Sequence, residues 1–255
     1  MRILKTIALS FAMFSAIPMP AKKIEWSEEN MRYMLCTFPL VGVVIGAAWL
    51  FVDFCFVRFG LELPALKAAL LSLLPVLISG GIHLDGFCDT ADALSSHADR
   101  EKKLAILKDS HCGAFAVIYT AVYFLVYFAC LFDMGKVELP LCAVFALERQ
   151  LSALSVATFP LAKSSGLVHT FATASAKKKV AFVSATGFLL LSALLLVFFA
   201  YRGAAVVLPC LLSFVFYYIF AKKEFGGITG DISGAFVQSC ELVTIVVFCI
   251  TKSLL

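Results

Sequence analysis

Residues 180–200, VAFVSATGFLLLSALLLVFFA, decide the fold class because they form an apolar stretch of 21 residues without a charged side chain. A helix of about 20 mostly apolar residues is long enough to cross the hydrocarbon core of a bilayer. Six more such stretches occur, at roughly 34–57, 64–82, 113–132, 138–160, 203–221 and 236–251. We therefore predict an all-α, polytopic integral membrane bundle of about seven spanning helices, with residues 1–255 as a single domain.

The composition agrees with a membrane protein and excludes several other classes. Apolar residues make up 62% of the 255 residues and charged residues 15%, against about 45–50% and about 25% in soluble domains. These proportions exclude a disordered chain, a disulfide-stapled small protein and an ordinary cytosolic enzyme. The net charge of +4 is too small to indicate nucleic-acid binding. The nine cysteines form no C-x-x-C pair, so we interpret them as reduced, mostly buried thiols.

The N-terminal stretch ILKTIALSFAMFSAI, residues 3–17, is apolar but too short to span, and prolines at 18 and 20 end it. Basic residues before it resemble the start of a secretory signal, but no run of small residues follows for cleavage. We predict an interfacial or re-entrant segment that stays in the mature protein.

The basic residues predict the orientation of the chain. Thirteen of them fall in the segment before the first span and in alternate loops, against about five elsewhere. They are Lys22, Lys23, Arg32, Arg100, Lys102, Lys103, Lys108, Lys163, Lys177, Lys178, Lys179, Lys222 and Lys223. Because basic loops stay on the cytoplasmic side, we predict that loops 83–112, 161–179 and 222–235 face the cytoplasm.

Residues 80–115, GGIHLDGFCDTADALSSHADREKKLAILKDSHCGAF, hold the densest set of charges. Asp85, Asp89 and Asp92 are spaced by four and three residues, which places them within an arc of about 60° on one helix face. Carboxylates this close repel one another unless a cation lies between them, and hard oxygen ligands suit Mg²⁺ or Mn²⁺. A solvated acidic face is the alternative. The position directly after an apolar span and two glycines favours a metal site.

Several neighbouring residues are candidates for the same site. Asp109 could add a metal ligand, and Lys108 could bind a phosphate. His83, at the end of a span, is a candidate acid, base or phosphate donor. Ser110 is a candidate cap for the third span.

A second candidate element is FGGITGDISGA, residues 225–235. Gly227 and Gly230 would let a phosphate approach the backbone at a helix N-terminus, although glycine also serves helix packing in membranes. Asp231 would lie in the first turn of that helix, where its negative charge is favourable. Glu241, a carboxylate deep in an apolar run, is a candidate substrate contact.

A third element is the adjacent pair of charges at 148 and 149, inside a predicted span. Arg149 and Glu148 can simply neutralise each other. Arginine is also the best side chain for a diphosphate in a cleft of low dielectric constant. The residues alone leave both interpretations open.

These elements together indicate the chemistry. Carboxylates, glycine-lined helix starts and basic side chains at the same ends of the helices suit a diphosphate substrate with a divalent metal. We predict phosphoryl-type transfer at a membrane surface, in which a general base activates an alcohol acceptor.

The motifs resemble those of a known family. Residues 80–92, GGIHLDGFCDTAD, resemble the signature GG-x-HLDG-x-x-D-x-x-D of the adenosylcobinamide-GDP ribazoletransferase (cobalamin, or vitamin B12, synthase) family. KDSHCG at 108–113, GGITGDISGA at 226–235 with Glu241, and FPLVG at 38–42 resemble its further elements. His111 and Cys112 depart from the arginine and the aliphatic residue expected after KDS, which removes one candidate phosphate ligand.

The resemblance implies a multi-pass, Mg²⁺-dependent enzyme of a bacterial or archaeal cytoplasmic (inner) membrane. It would join adenosylcobinamide-GDP to α-ribazole, or to its 5′-phosphate, and release GMP. Asp85, Asp89 and Asp92, with Asp109 and Asp231, would hold the metal, and His83, Asp85 and Asp89 are the catalytic candidates. Lys108, Arg149, Gly227, Gly230 and Glu241 would bind substrate. The lipid bilayer, a second copy of the chain and other late corrinoid-pathway enzymes are the expected partners.

Two other functions compete with this one. A CDP-alcohol phosphatidyltransferase uses similar aspartates, but its Asp-Gly-x-x-Ala-Arg run is absent here. A cation or proton transporter would place its charges near the bilayer midplane, often in repeated helices, whereas no repeat is visible in this sequence.

Overall fold

The computed structural model describes residues 2–19 and 26–254, which form an all-α bundle, as predicted. The helices of this described part are α1 (Arg2–Phe14), α2 (Glu28–Met31), α3 (Met34–Thr37), α4 (Pro39–Arg58), α5 (Pro64–Ser79), α6 (Ile82–Ser95), α7 (Arg100–Ile106), α8 (Ala114–Met134), α9 (Leu139–Cys142), α10 (Val144–Thr158), α11 (Leu167–Ala174), α12 (Lys177–Glu224) and α13 (Gly230–Leu254).

The long apolar helices agree with the predicted spans. Within the described residues, α4, α8, α9 with α10, α12 and α13 are long and apolar enough to cross a membrane, and α5 with α6 passes the same test as a bent pair. These make six candidates, or seven when the two arms of α12 are counted separately.

Helix α12 reverses direction at Ala200. This residue has φ 44° and ψ −118°, and a Cβ on Gly203 would lie only 2.1 Å from the carbonyl oxygen of Leu195. Residues eight apart in a straight helix are separated by about 12 Å, so the chain must fold back. Residues 177–199 and 201–224 are therefore two arms, which correspond to the predicted spans 180–200 and 203–221.

A sharp bend separates α5 from the acidic helix α6. The two axes differ by 96°, and the connecting Gly80 and Gly81 have φ of 68° and 78°. Only glycine enters this left-handed region without steric cost. The aspartate triplet therefore lies on a helix of its own rather than on an extension of the span before it.

Ionic contacts lie at both ends of the bundle as well as in its interior, where Arg149 pairs with Glu148. At one end Glu138 pairs with both Arg202 and Lys252 at 3.2 Å. At the other, Lys103 pairs with Glu224 at 2.6 Å. We call this second end of the bundle the loop end, because residues 96–113, 159–176 and 225–229 meet there. Most of the predicted cytoplasmic basic residues lie at the loop end, while residues 22 and 23 of that set fall outside the described residues.

Helix α1 packs onto the bundle near the bend between α5 and α6. Leu9 and Phe14 are buried, and the backbone N–H of Ala16 donates to the carbonyl of Ile78 at 2.8 Å. The helix is too short to span, as predicted. Its placement at the membrane interface stays a prediction.

Candidate active site

Two glycines bring α6 and α13 into backbone contact at the loop end. A Cβ on Gly86 would lie 2.5 Å from the carbonyl oxygen of Asp231, and one on Gly234 would lie 3.0 Å from that of His83. Any larger residue at 86 would have to push the two helices apart. The crossing therefore fixes the acidic face of α6 beside the first turn of α13.

Three carboxylates meet at this crossing, and we call Asp85, Asp89 and Asp231 the carboxylate cluster. The charge of Asp89 interacts with those of the other two, and that of Asp231 also interacts with Asp85. Thr229 donates its hydroxyl to Oδ2 of Asp231 at 3.2 Å. Among the described residues, no group of three or more His, Cys, Asp or Glu side chains is arranged so that it could hold a metal ion. The carboxylates therefore form an open acidic site rather than a closed metal cage.

Asp92, the third member of the predicted triplet, binds the start of α8. Its carboxylate accepts hydrogen bonds from the backbone N–H groups of Gly113, at 2.6 Å, and Ala116, at 2.9 Å. The N-cap of α8 is Gly113, which makes no side-chain cap bond, so the capping role predicted for Ser110 is wrong. Asp92 takes over that role from another helix, and its function as a metal ligand stays a prediction.

Asp109 lies in the loop before α8, where its carboxylate is 57% exposed. It accepts a hydrogen bond from the backbone N–H of His111 at 3.0 Å and contacts the imidazole Nδ1 at 2.7 Å. These bonds hold the pKa of Asp109 below its usual range. Its contacts are with its own loop, and its role as a metal ligand stays a prediction.

A basic cleft of about 200 Å³ adjoins the carboxylate cluster, and we call it the lysine cleft. Lys108, Lys163, Gly230 and Asp231 are among its lining residues. Lys163 donates to the carbonyl of Leu104 at 2.9 Å, while burial and the nearby charge of Lys108 lower its pKa. Sequence reasoning identified Lys108 but missed Lys163, since a single lysine in a basic loop carries no distinguishing signal.

The two glycines predicted to bind substrate have different surroundings. A Cβ on Gly227 would lie 2.5 Å from the carbonyl oxygen of Pro160, so the close approach at this buried residue is made by protein backbone. Gly230 is exposed and has open space where a Cβ would be. Of the two, only Gly230 offers room for a ligand. Arg100 also contacts this loop, because a Cβ on Gly226 would overlap its guanidinium group.

Arg149 and Glu241 belong to a buried polar network. Arg149 Nη1 donates to Glu148 Oε1 at 2.6 Å and to the carbonyl of Phe145 at 2.9 Å. Glu241 accepts hydrogen bonds from the hydroxyls of Tyr127, at 2.6 Å, and Tyr123, at 3.3 Å. It lies ten residues beyond Asp231 along α13, or about 15 Å. The Glu148 pairing left open by the sequence is thus present, and the substrate contacts of both residues stay predictions.

His83 lines a second cavity, which also borders Asp231 and has a volume of about 160 Å³. We call it the aromatic cavity, because Phe14, Phe38 and Phe171 also line it. The imidazole of His83 is 6% exposed, and its Nε2 has no hydrogen-bond partner among the described residues. The aromatic cavity and the lysine cleft both border Gly230 and Asp231.

Comparison with known proteins gives a consistent result. Residues 6–249 match the family model of cobalamin-5-phosphate synthase. A protein of Lachnoclostridium phytofermentans named adenosylcobinamide-GDP ribazoletransferase is 43% identical over 251 residues, which cover 95% of this chain and 92% of the relative. Proteins with the same name from Clostridium botulinum and Clostridium perfringens are 32% and 34% identical, over 97% and 94% of this chain and 98% and 96% of their own lengths. No solved structure matches the chain.

Proposed function

The chain belongs to the cobalamin-5-phosphate synthase family, and on that basis we propose that it is an adenosylcobinamide-GDP ribazoletransferase. It joins adenosylcobinamide-GDP to α-ribazole, or to its 5′-phosphate, and releases GMP. The resemblance found in the sequence is thereby confirmed at the level of the family.

The observation that carries this proposal is the junction of the carboxylate cluster and the lysine cleft at Asp231. Lys163 lies close enough to Asp231 for their charges to interact, and Lys108 lies close to Lys163. Two ammonium groups held near each other favour an anionic ligand between them. The exposed backbone at Gly230 adds the positive end of α13, where phosphates commonly bind.

The carboxylate cluster fits Mg²⁺ in its donor chemistry. Asp85 and Asp89 are at least partly exposed and point from the same helix face, while Asp231 faces them from α13. Mg²⁺ usually takes one or two protein carboxylates together with substrate phosphates and water, which matches an open acidic site beside a basic cleft. Asp85, Asp89 and Asp231 would hold the ion, which would neutralise charge on the diphosphate.

The protein residues supply binding, orientation and proton transfer. Lys108 and Lys163 bind phosphate oxygens, and the backbone at Gly230 orients them. The leaving GMP departs with the electron pair of the broken P–O bond while an acceptor hydroxyl of the ribazole attacks the phosphorus. A carboxylate of the cluster or His83 accepts the proton of that hydroxyl.

We place the active site at the cytoplasmic face of a bacterial or archaeal inner membrane. The support for this is the collection of basic residues at the loop end, which also holds the carboxylate cluster. A homo-oligomer and contacts with other late corrinoid-pathway enzymes stay predictions.

Turnover by the purified full-length protein in detergent tests the proposal. We expect GMP release from adenosylcobinamide-GDP only when α-ribazole or its 5′-phosphate and Mg²⁺ are both present. The same preparation with Asp89→Asn should release no GMP while inserting normally into membranes. Failure of the wild-type protein to bind either substrate, together with ion movement in liposomes, would instead establish a transporter.

A further inference from the structure

We propose that the aromatic cavity binds the planar benzimidazole base of the ribazole acceptor, and that His83 Nε2 is the hydrogen-bond partner of its free ring nitrogen. This inference rests on the proposed function and names the place of one substrate within it. It changes the role of His83 from a candidate base to a recognition residue.

The walls of the aromatic cavity suit a flat, largely apolar group. Phe14 comes from α1, Phe38 precedes α4 and Phe171 comes from α11, so three separate elements supply the rings. The ring centroids of Phe38 and Phe14 lie 5.7 Å and 6.5 Å from that of His83. Aromatic groups at such distances attract one another through their quadrupoles as well as through buried area. A planar base in the cavity would be surrounded by rings.

The unpartnered nitrogen of His83 indicates a polar contact with a ligand. A buried polar atom without a partner costs about 1–3 kcal/mol, and such atoms in native structures need an explanation. Among the described residues that line the cavity, His83 Nε2 is the buried polar side-chain atom without a hydrogen bond. The hydroxyl of Ser233 in the same wall already contacts Tyr217 and Thr229. His83 is 6% exposed, and the other charged groups of the wall are the carboxylates of Asp85 and Asp231, which can accept hydrogen bonds but not donate them.

The polar groups in the cavity wall favour the benzimidazole base of the acceptor over guanine as the occupant of the cavity. Guanine carries several acceptors on its edges, and the carboxylates of Asp85 and Asp231 in this wall cannot donate hydrogen bonds to them. The base of a benzimidazole nucleoside has one free ring nitrogen, which is an acceptor, and an apolar benzo ring. His83 in the tautomer with hydrogen on Nε2 would donate to that nitrogen.

The position of the cavity agrees with the reaction. Its wall includes Asp85, Gly230 and Asp231, and the last two also line the lysine cleft. A ribose attached to a base in the aromatic cavity would therefore emerge between the carboxylate cluster and the lysine cleft. An acceptor hydroxyl on that ribose would lie beside the groups that hold the diphosphate.

The test measures equilibrium binding to the full-length protein in detergent, with two ligands. One is α-ribazole, and the other is its indole analogue, in which a carbon replaces the free ring nitrogen. His83→Phe keeps an aromatic ring but removes both ring nitrogens, His83→Gln places an amide nitrogen near the position of Nε2, and His83→Asn places one near Nδ1. His97→Asn, in an exposed loop with φ of 48° at residue 97, is the matched control.

We expect His83→Phe and His83→Asn to weaken α-ribazole binding about tenfold, with His83→Gln retaining part of the affinity and the control unchanged. The indole analogue should bind wild type and His83→Phe equally. Equal binding of α-ribazole by wild type and His83→Phe would overturn the inference, and so would a loss confined to GMP binding, which would assign the cavity to guanine. A fall in kcat with unchanged α-ribazole affinity would make His83 the general base. If wild type binds no α-ribazole at all, the proposed function fails instead.

Discussion

Replacement of Gly86 by alanine tests whether the crossing of α6 and α13 sets the geometry of the carboxylate cluster. The new Cβ would lie 2.5 Å from the carbonyl oxygen and 2.8 Å from the Cα of Asp231, and both are backbone atoms that cannot rotate away. The shorter distance is about 0.9 Å less than the 3.4 Å at which ordinary van der Waals contact begins. The helices must therefore separate by nearly 1 Å, which moves Asp231 away from Asp85 and Asp89.

The effect on activity should exceed the effect on stability. Overpacking of this kind costs about 1–3 kcal/mol, but the gain in helix propensity from glycine to alanine returns about 1 kcal/mol. A misplacement of about 1 Å in a site can reduce the rate about 100-fold. We expect Gly86→Ala to fold and to release GMP about 10- to 100-fold more slowly than wild type, measured in detergent with saturating Mg²⁺.

Two further glycine variants make the test quantitative. A Cβ on Gly234 would approach His83 less closely, at 3.0 Å, so Gly234→Ala should lose less activity than Gly86→Ala. A Cβ on Gly187 would lie 2.7 Å from Nε2 of Gln150, the end of a flexible side chain, so Gly187→Ala should keep activity within about twofold. Near-normal turnover by a well-folded Gly86→Ala protein would refute the reasoning.

Asp89→Asn should lower GMP release at least 100-fold without loss of membrane insertion, because it removes the charge at the centre of the carboxylate cluster; substantial residual activity would contradict its role. Replacing Lys108 and Lys163 together by glutamine should raise the KM for adenosylcobinamide-GDP about tenfold, since charge-assisted hydrogen bonds contribute about 1.5–3 kcal/mol, and an unchanged KM would place the phosphates elsewhere. Arg149→Met leaves the carboxylate of Glu148 buried without its partner, which costs about 3–5 kcal/mol. Adding Glu148→Gln to the Arg149→Met variant should recover part of the lost stability, measured by thermal unfolding. An equal loss of stability in the single and double variants would exclude the ion pair as the cause.

The spanning helices were predictable because the tendency of each one to cross the membrane depends on the residues of that helix itself. The stretch 113–132 became α8, at Ala114–Met134, and 236–251 became the main part of α13. The free energy of transferring about 20 apolar residues into a bilayer depends on those residues alone. The two arms of α12 were predicted as separate spans, 180–200 and 203–221, on either side of Arg202.

The candidate site was predictable only in part, because it combines local spacing with contacts between distant residues. The spacing of Asp85 and Asp89 placed both on one face of α6, as a helix requires. The same spacing included Asp92, but its carboxylate binds the backbone of Gly113, 21 residues later. Lys163 and Phe14 joined the site from other elements of the chain. Their residue types carry no local signal, so only the fold identifies them.

The buried network shows how a charge inside a span should be interpreted. A charged residue at membrane depth indicates a function because its burial is costly, and this argument selected Arg149 and Glu241 from the sequence. In the structure both are almost fully buried, and their partners Glu148, Tyr123 and Tyr127 come from α8 and α10. The hydrogen bonds of this network join α8 to α13, and the ion pair within α10 is buried in the interior of the same bundle. Asp85, by contrast, is exposed and borders open space beside Gly230. The cost of burying a charge thus identifies residues that need a partner, and only the space around them decides whether that partner is the protein itself or a substrate.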